Sequence, residues 1–335
     1  MFPMIHPYFS MTILRWFEAH GRVLPWRQTH DPYAIWLSEI ILQQTRIEQG
    51  RPYWERFMQR WPSVEKLAAA SEDDVLREWQ GLGYYSRARN LHKAARQIVE
   101  LGRFPDTFET IKRLKGVGDY TAAAVGSIAF DLPVAVVDGN VYRVLARHFG
   151  ISTPINSTEG KREFAALAQA LLPPDKASAY NQGMMDFGAM QCTPAADCMG
   201  CPLQESCVAY RENRVGELPV KLRTVKVSER KLVYVYIRCA GFTAIRRRSA
   251  GDIWQGLWEP ANVSAFPELE LLLGKARLVR KDVKHVLTHR IIYADFYLLE
   301  TDERPLLPSD YIWIREEEMD GYGIPRLIQL FLESL

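Results

Sequence analysis

The 335-residue chain is predicted to fold as an all-α domain followed by a smaller α+β domain. Two observations carry this. Up to about residue 210 the apolar residues recur at helical spacing and β-type alternation is nearly absent. Past the polar, basic stretch "NRVGELPVKLRTVKVSER", short β-branched and aromatic runs bounded by Gly or charge read as strands. The expected organisation is therefore a helical domain over 1–212, a linker over 213–230 and a second domain over 231–335.

The elements follow in chain order. "DPYAIWLSEIILQQ" opens a helix with Asp31 as N-cap and Pro32 at its first position. "SEDDVLREWQGLG" starts at Ser71, carries its acids in the first turn and stops at Gly81 and Gly83. "DYTAAAVGSIAF" and "TEGKREFAALAQALL" continue the helical series. "KLVYVYIRCAGFTAIRRR" and "HRIIYADFYLLE" are expected as strands, and "GYGIPRLIQLFLESL" as a closing helix. No internal repeat or low-complexity run is visible.

Hydrophobic residues make up 47% of the chain and charged ones 24%, so a sizeable core is within reach. A net charge of +2 neither demands nor excludes a nucleic-acid partner, since a local basic patch hides easily in a balanced total. No basic segment leads into an apolar run at the start, and no stretch nears about 18 uninterrupted apolar residues. A soluble, intracellular chain without a membrane partner is expected.

Four of the five cysteines crowd into Cys192, Cys198, Cys201 and Cys207, separated by five, two and five residues. In a long chain otherwise poor in Cys, this pattern points to a metal or cluster site in a reducing compartment. Zinc and an iron–sulfur cluster both accept four thiolates, and the spacing leaves both open.

Chemistry is concentrated in two other places. "WLSEIILQQT" places Glu39 in an otherwise core-like helix, where a carboxylate is costly unless paired or protonated. "LKGVGDYTAAAVG" sets Gly116 and Gly118 ahead of a helix, where backbone N–H groups are able to approach a phosphate and an ordinary helix–helix turn is the simpler alternative. Some twenty residues on, "VVDGNVYRVLAR" sets Asp138 at the mouth of a further helix, where an N-cap role is the simpler alternative. Two carboxylates in apolar surroundings suit glycosidic cleavage: one protonates the leaving group, the other steadies an oxocarbenium-like sugar.

Together "LPWR", "DPYAIWLSEIILQQT", "GLGYYSRARNL", "LKGVGDYTA", "VDGNVYRVL" and the four cysteines resemble the MutY family of adenine DNA glycosylases, within the helix-hairpin-helix superfamily shared with endonuclease III. The resemblance runs from about residue 10 to 210. It implies a helix-hairpin-helix glycosylase domain that removes adenine mispaired with 8-oxoguanine or guanine after flipping it from double-stranded DNA. It further implies a monomer in the bacterial cytoplasm and one 4Fe–4S cluster on the four cysteines.

By the same resemblance Glu39 protonates adenine and Asp138 stabilises the sugar cation or bonds to it, with Tyr120 and Asn140 in support. Arg22, Trp26, Arg27, Leu42, Ile47 and Gln182 match positions of the adenine pocket. Gln44, Thr45, Leu82 and Tyr84 match those that wedge beside the opposite base, and Gly116 and Gly118 the hairpin that grips the backbone. Relatives that also cut the strand carry a lysine at the Tyr120 position, so a monofunctional enzyme is expected. Two departures stand out: a first cysteine gap of five residues where six is usual, and Gln182 where relatives often have glutamate.

More weakly, "IWQGLWEPA" and "VKHVLTHRIIYADFYLLE" resemble the Nudix-like lesion-recognition domain of that family. This implies that Thr288 and His289, with His285 beside them, face 8-oxoguanine, a strand start with solvated histidines being the simpler alternative for "HVLTHR". No Glu-rich metal-binding helix follows Trp258, so binding without hydrolysis is expected of this domain. Trp254 and Trp258 are expected to pack internally. Arg87 and Arg89, next to "GLGYY", are expected at phosphates, with Lys93 and Arg96 there or on a solvated face.

Overall fold

The computed structural model describes residues 7–222 and 227–335, so residues 223–226 of the expected linker and the first six residues lie outside it. The described residues divide into two compact units. One is drawn from Met1–Ala68 and Lys93–Arg223, the other from Ala69–His92 and Thr224–Leu335.

The first unit is helical: α1 (Pro7–His20), α2 (Pro32–Ile41), α3 (Ile47–Arg60) and α4 (Val64–Ala69) precede the break. In the second unit lies α5 (Glu72–Glu78), and α6 (Ser86–Glu100) crosses the division. Then follow α7 (Phe108–Lys112), α8 (Asp119–Phe130), α9 (Gly139–Phe149), α10 (Thr158–Leu171), α11 (Ala177–Met190) and α12 (Val208–Arg211).

Local chemistry sets several of these boundaries. Asp31 caps α2 by accepting from the Tyr33 N–H, with Pro32 behind it, and Ser71 caps α5 through the Asp74 N–H. α8 is built mostly of small residues, and Thr121 to Ile128 are all buried. Its Ala123, Ala124 and Ile128 pack with Ile35 of α2 and Val136. A larger core gathers Phe9, Ile13, Leu145, Phe164, Met184 and Phe187 from α1, α9, α10 and α11.

The extended segment before α9 is held by Asn181, which accepts from the Val136 N–H at 3.0 Å and donates to the Val134 carbonyl at 2.8 Å. Gly188 lets α11 approach this point closely. A Cβ there would stand 2.6 Å from the Asn140 Cβ and 2.9 Å from its carbonyl oxygen.

In the second unit β1 (Ser228–Arg238), β2 (Phe242–Arg247), β3 (Trp258–Glu259), β4 (Ala261–Asn262), β5 (Arg277–Leu287), β6 (Arg290–Glu300) and β7 (Tyr311–Arg315) form two sheets, ordered β4-β1-β6-β5 and β3-β2-β7. α13 (Glu270–Leu273) and the closing α14 (Arg326–Leu332) complete it. β1 and β6 run parallel from Ser228 opposite Arg290 to Arg238 opposite Glu300. Leu232, Tyr234, Phe296 and Leu298 of this pair pack with Leu327, Ile328 and Phe331 of α14.

β5 escapes the sequence patterns for a physical reason. β5, "RLVRKDVKHVL", is an edge strand with most side chains in solvent, so burial imposes no strict alternation on it. It is held by antiparallel pairing with β6, its register shifted between Leu278 and Arg280 and again between Arg280 and Val283.

Segment 69–92 clusters with the second unit through identifiable contacts. Arg247 reaches Glu72 at 3.0 Å and Asp73 at 2.9 Å, and Gly256 and Gly323 lie against Leu76. Trp254 and Trp258 pack internally as expected, Trp258 edge-on to Tyr322. Arg87 and Arg89 differ from expectation. Arg87 is buried under Trp79, donating to the carbonyls of Leu82 and Gly83, and Arg89 donates to the Gln255 carbonyl. Both guanidiniums are engaged in holding this segment together.

Candidate active site

The first unit contains a cleft of about 360 Å³ lined by Arg22, Trp26, Arg27, Glu39, Leu42, Thr45, Ile47, Tyr120, Asp138, Asn140 and Gln182. Long-range folding brings these residues together from the stretches singled out in the sequence. Thr45, expected beside the opposite base, stands in the cleft wall. Gln44 is not part of that wall: its backbone turns to φ 55° and its side chain is exposed.

Glu39 lies on the third turn of α2, 8% exposed. Its Oε2 accepts a hydrogen bond from the Tyr120 hydroxyl at 2.9 Å, across a sequence separation of 81 residues. Burial pushes the Glu39 carboxyl up to about 7. The Tyr120 hydrogen bond and the Arg27 charge pull it down, and the Asp138 charge adds to the rise. Burial and the neighbouring Glu39 also hold the Tyr120 phenol far above its ordinary range.

Asp138 is an N-cap, as its sequence position allows, and more than that. One oxygen accepts from the Val141 N–H at 2.7 Å, the other from the Asn140 amide at 2.8 Å. Burial outweighs these bonds and raises its carboxyl above the usual range. Asn140 is fixed in turn by Arg143, whose Nη2 donates to Asn140 Oδ1 at 2.8 Å and to the Gly188 carbonyl at 2.6 Å.

Arg22 and Arg27 do not extend freely into the cleft. Both are held by Asp186, a side chain with no solvent exposure that the sequence analysis passed over. Its signal was present: it falls four residues after Gln182, on the same face of α11, as a lone carboxylate in "GMMDFG". Ser38, Ile35, Met185, Arg46 and Glu48 also line the cleft without having been anticipated.

The loop carrying Gly116 and Gly118 leads into α8. Gly116 adopts φ 80°, which favours glycine, and a Cβ on Gly118 would meet nothing within 4 Å.

In the second unit Leu82 is buried and Tyr84 is 46% exposed, with φ 47°. The Tyr84 hydroxyl shares a 2.5 Å hydrogen bond with Thr288 Oγ1 at the β5–β6 turn. His289 is exposed beside it, while His285 is half-buried against Trp254, and burial lowers its imidazole below the usual range. Arg246 and Arg248 are buried against Glu259 and belong to the core of this unit.

The four clustered cysteines line one space of about 30 Å³ together with Arg147. Arg147 Nη1 lies 3.5 Å from Cys192 Sγ and donates to the Thr193 carbonyl at 2.6 Å, and its Nη2 donates to that of Pro194 at 3.0 Å. Burial pushes the Cys201 thiol up to about 11, and the neighbouring cysteines add to it. Thiols that oppose one another's ionisation suit a shared cationic centre, so the donor set fits a four-thiolate cofactor. Among the described residues no group of three or more His, Cys, Asp or Glu is set for a single metal ion. Among them, too, no helix is long and apolar enough to cross a membrane.

Comparison with known proteins agrees in both units. Residues 37–174 match the HhH-GPD superfamily of base excision DNA repair proteins, and residues 233–334 match the NUDIX domain. An adenine DNA glycosylase of Buchnera aphidicola is 30% identical over 97% of this chain and 98% of its own length. The mouse adenine DNA glycosylase is 43% identical over 63% of this chain and 43% of its own. Among solved structures, a thermostable thymine-DNA glycosylase aligns with a TM-score of 0.57 and 32% identity, covering 61% of this chain and 96% of that one.

Proposed function

The chain belongs to the adenine DNA glycosylases, base excision repair hydrolases of N-glycosyl bonds in the HhH-GPD superfamily, and from that premise we propose that it excises adenine opposite 8-oxoguanine or guanine without cutting the strand. The observation that carries this most directly is Glu39, a buried carboxyl raised to about 7 and hydrogen-bonded to Tyr120 in a cleft shared with Asp138. Such a group holds a proton near neutral pH and releases it to a base that is a poor leaving group until protonated.

In the proposed sequence the Glu39 carboxylic acid gives its proton to a ring nitrogen of the flipped adenine. The N-glycosidic bond breaks with its electron pair passing to the base. The Asp138 carboxylate opposes the positive charge left on the sugar. Water then adds to that carbon and returns a proton to Glu39. Tyr120 offers no amine for a Schiff base, and its phenol is engaged with Glu39, which supports hydrolysis alone.

A base-sized wall formed by Trp26, Leu42, Ile47 and Gln182 receives the adenine, with Asn140 steadying Asp138. In the second unit, Leu82, exposed Tyr84 and its partner Thr288, with His289 beside them, serve the opposite base; in the first unit, Gln44 and Thr45 meet the duplex. Gly116 and Gly118 hold the backbone. Cys192, Cys198, Cys201 and Cys207 would hold a 4Fe–4S cluster, in a loop after α11 that Arg147 of α9 ties down through the Thr193 and Pro194 carbonyls. A division at 213–230, consistent with matches ending at 174 and resuming at 233, belongs to the same proposal, as does a monomer working in the bacterial cytoplasm.

The test is single-turnover excision on duplexes with adenine opposite 8-oxoguanine, guanine or thymine, and with thymine opposite guanine. Free adenine is expected from the first two, with unbroken strands before alkali. Release of thymine from the G·T duplex and none of adenine would overturn the proposal. Because the acid must be protonated, activity is present below the Glu39 value and lost as pH rises through about 7. For the cluster, purified protein is expected to carry about four irons and a visible absorption band that bleaches on oxidation. Bound zinc with no such band would replace that assignment.

A further inference from the structure

Behind the cleft wall lies a further buried carboxylate, Asp186, which reaches the cleft through Arg22 and Arg27 and has no assigned part in the chemistry. Asp186 is fully buried on α11 and accepts from two arginines. Arg22 donates to it through its backbone N–H at 3.0 Å, its Nε at 2.9 Å and its Nη2. Arg27 donates Nη1 to Oδ2 at 2.7 Å and Nη2 to Oδ1 at 2.9 Å, a two-pronged fork, and Nη1 also reaches the Arg22 carbonyl at 3.1 Å. Both arginines line the cleft that contains Glu39.

We propose that Asp186 is a positioning residue for the acid: by pinning and neutralising the Arg22 and Arg27 guanidiniums in the cleft wall, it sets the field in which Glu39 keeps its proton. The role rests on the excision proposed above, in which Glu39 is the proton donor. The physical requirement is plain. A guanidinium in a poorly solvated wall, with no counter-ion, favours the ionised form of a nearby carboxyl and so disarms an acid. A buried anion hydrogen-bonded to the same guanidinium offsets part of that field at Glu39.

The energetics of Asp186 fit this division. Burial alone would raise its carboxyl, but the hydrogen bonds and charges of Arg27 and Arg22 prevail and hold it below the ordinary range. It therefore stays ionised throughout the pH range in which Glu39 changes state. Glu39 feels Arg27 directly. The other charged or titratable groups facing it are Tyr120 on α8 and Asp138 at the head of α9, with Arg22, Arg46 and Glu48 on the same wall. None of these others neutralises Arg27; Asp186 does.

The test is a titration of Glu39 in the free protein, followed by NMR of carboxyl-labelled glutamate and assigned with Glu39→Gln. Asp186→Asn keeps the shape but leaves both guanidiniums uncompensated, and the acid dissociation constant of Glu39 is expected to rise about tenfold. Arg27→Met, which leaves the Asp186 charge unopposed on that side, is expected to lower it. The double variant is expected to return towards the unmodified protein, since both charges are gone.

Titrations that coincide for the unmodified protein and Asp186→Asn would overturn the proposal. So would equal values for Arg27→Met and the double variant, a comparison that survives even when Asp186→Asn alone fails to fold. In excision assays the alkaline limb of the pH profile moves to lower pH in Asp186→Asn, whereas a purely structural role lowers the rate equally at every pH. Titrations that shift as described in a protein that never releases adenine would sink the excision proposal and leave this one standing.

Discussion

Glu39→Gln is expected to slow adenine release by about 10²–10⁴-fold, the usual contribution of a positioned proton donor, while binding of the lesion duplex stays nearly unchanged. The two side chains have the same shape, and the amide oxygen still accepts the Tyr120 hydrogen bond that Glu39 Oε2 accepts at 2.9 Å. What disappears is the transferable proton. The exchange also removes a buried ionisable group, so no loss of thermal stability is expected from it. Single-turnover kinetics beside an equilibrium binding titration read the two effects separately. An equal loss in both would make Glu39 a structural residue.

The second large effect is expected at Asp138, where two roles are separable. Asp138→Asn retains an oxygen for the Val141 N–H, and Asn caps a helix about as well as Asp, but its amide N–H2 faces the Asn140 amide that the second carboxylate oxygen accepts from, so a loss of about 1–3 kcal/mol in stability is expected. The negative charge opposite the sugar cation is lost, and excision should fall by about 10²-fold or more. Asp138→Ala removes the cap as well and should cost about 1 kcal/mol besides. Thermal unfolding of the two variants, set beside their rates, decides between them. If Asn and Ala lower the rate only in proportion to lost folded protein, Asp138 acts as a cap alone.

Much of the site was legible because its chemistry is local in sequence. Asp31 and Pro32 open α2, and Asp138 opens α9, through hydrogen bonds spanning two or three residues. The cysteines declare themselves by spacing alone. A carboxylate in the apolar run of α2 announced an unusual burial before any neighbour was known. Strands β1 and β6 were visible because both lie inside a packed sheet.

Other features had no local signature. Edge strand β5 owes its existence to pairing with β6, since its solvated side chains are free of any patterning constraint. Arg87 reads as a surface cation until the fold buries it beneath Trp79. Segment 69–92 reads as one more stretch of the helical domain, yet Arg247 and the two glycines near Leu76 hold it to the second unit. Asp186 is the sharpest case. Its partners Arg22 and Arg27 lie 164 and 159 residues away, and nothing in "GMMDFG" specifies them.

Sequence by itself determined the helical and mixed domains, the helix starts, the four-thiol loop and the set of residues able to carry glycosidic chemistry. Capping, turn formation and hydrophobic period are short-range, so the residues involved are neighbours on the chain. Only the tertiary structure decided that Tyr120 donates to Glu39, that Asp138 lines the same cleft, and that Asp186 holds two arginines of its wall. Those outcomes depend on burial and on charges brought within hydrogen-bond reach from distant segments. Desolvation, the largest influence on Glu39, exists only once the chain has closed around it.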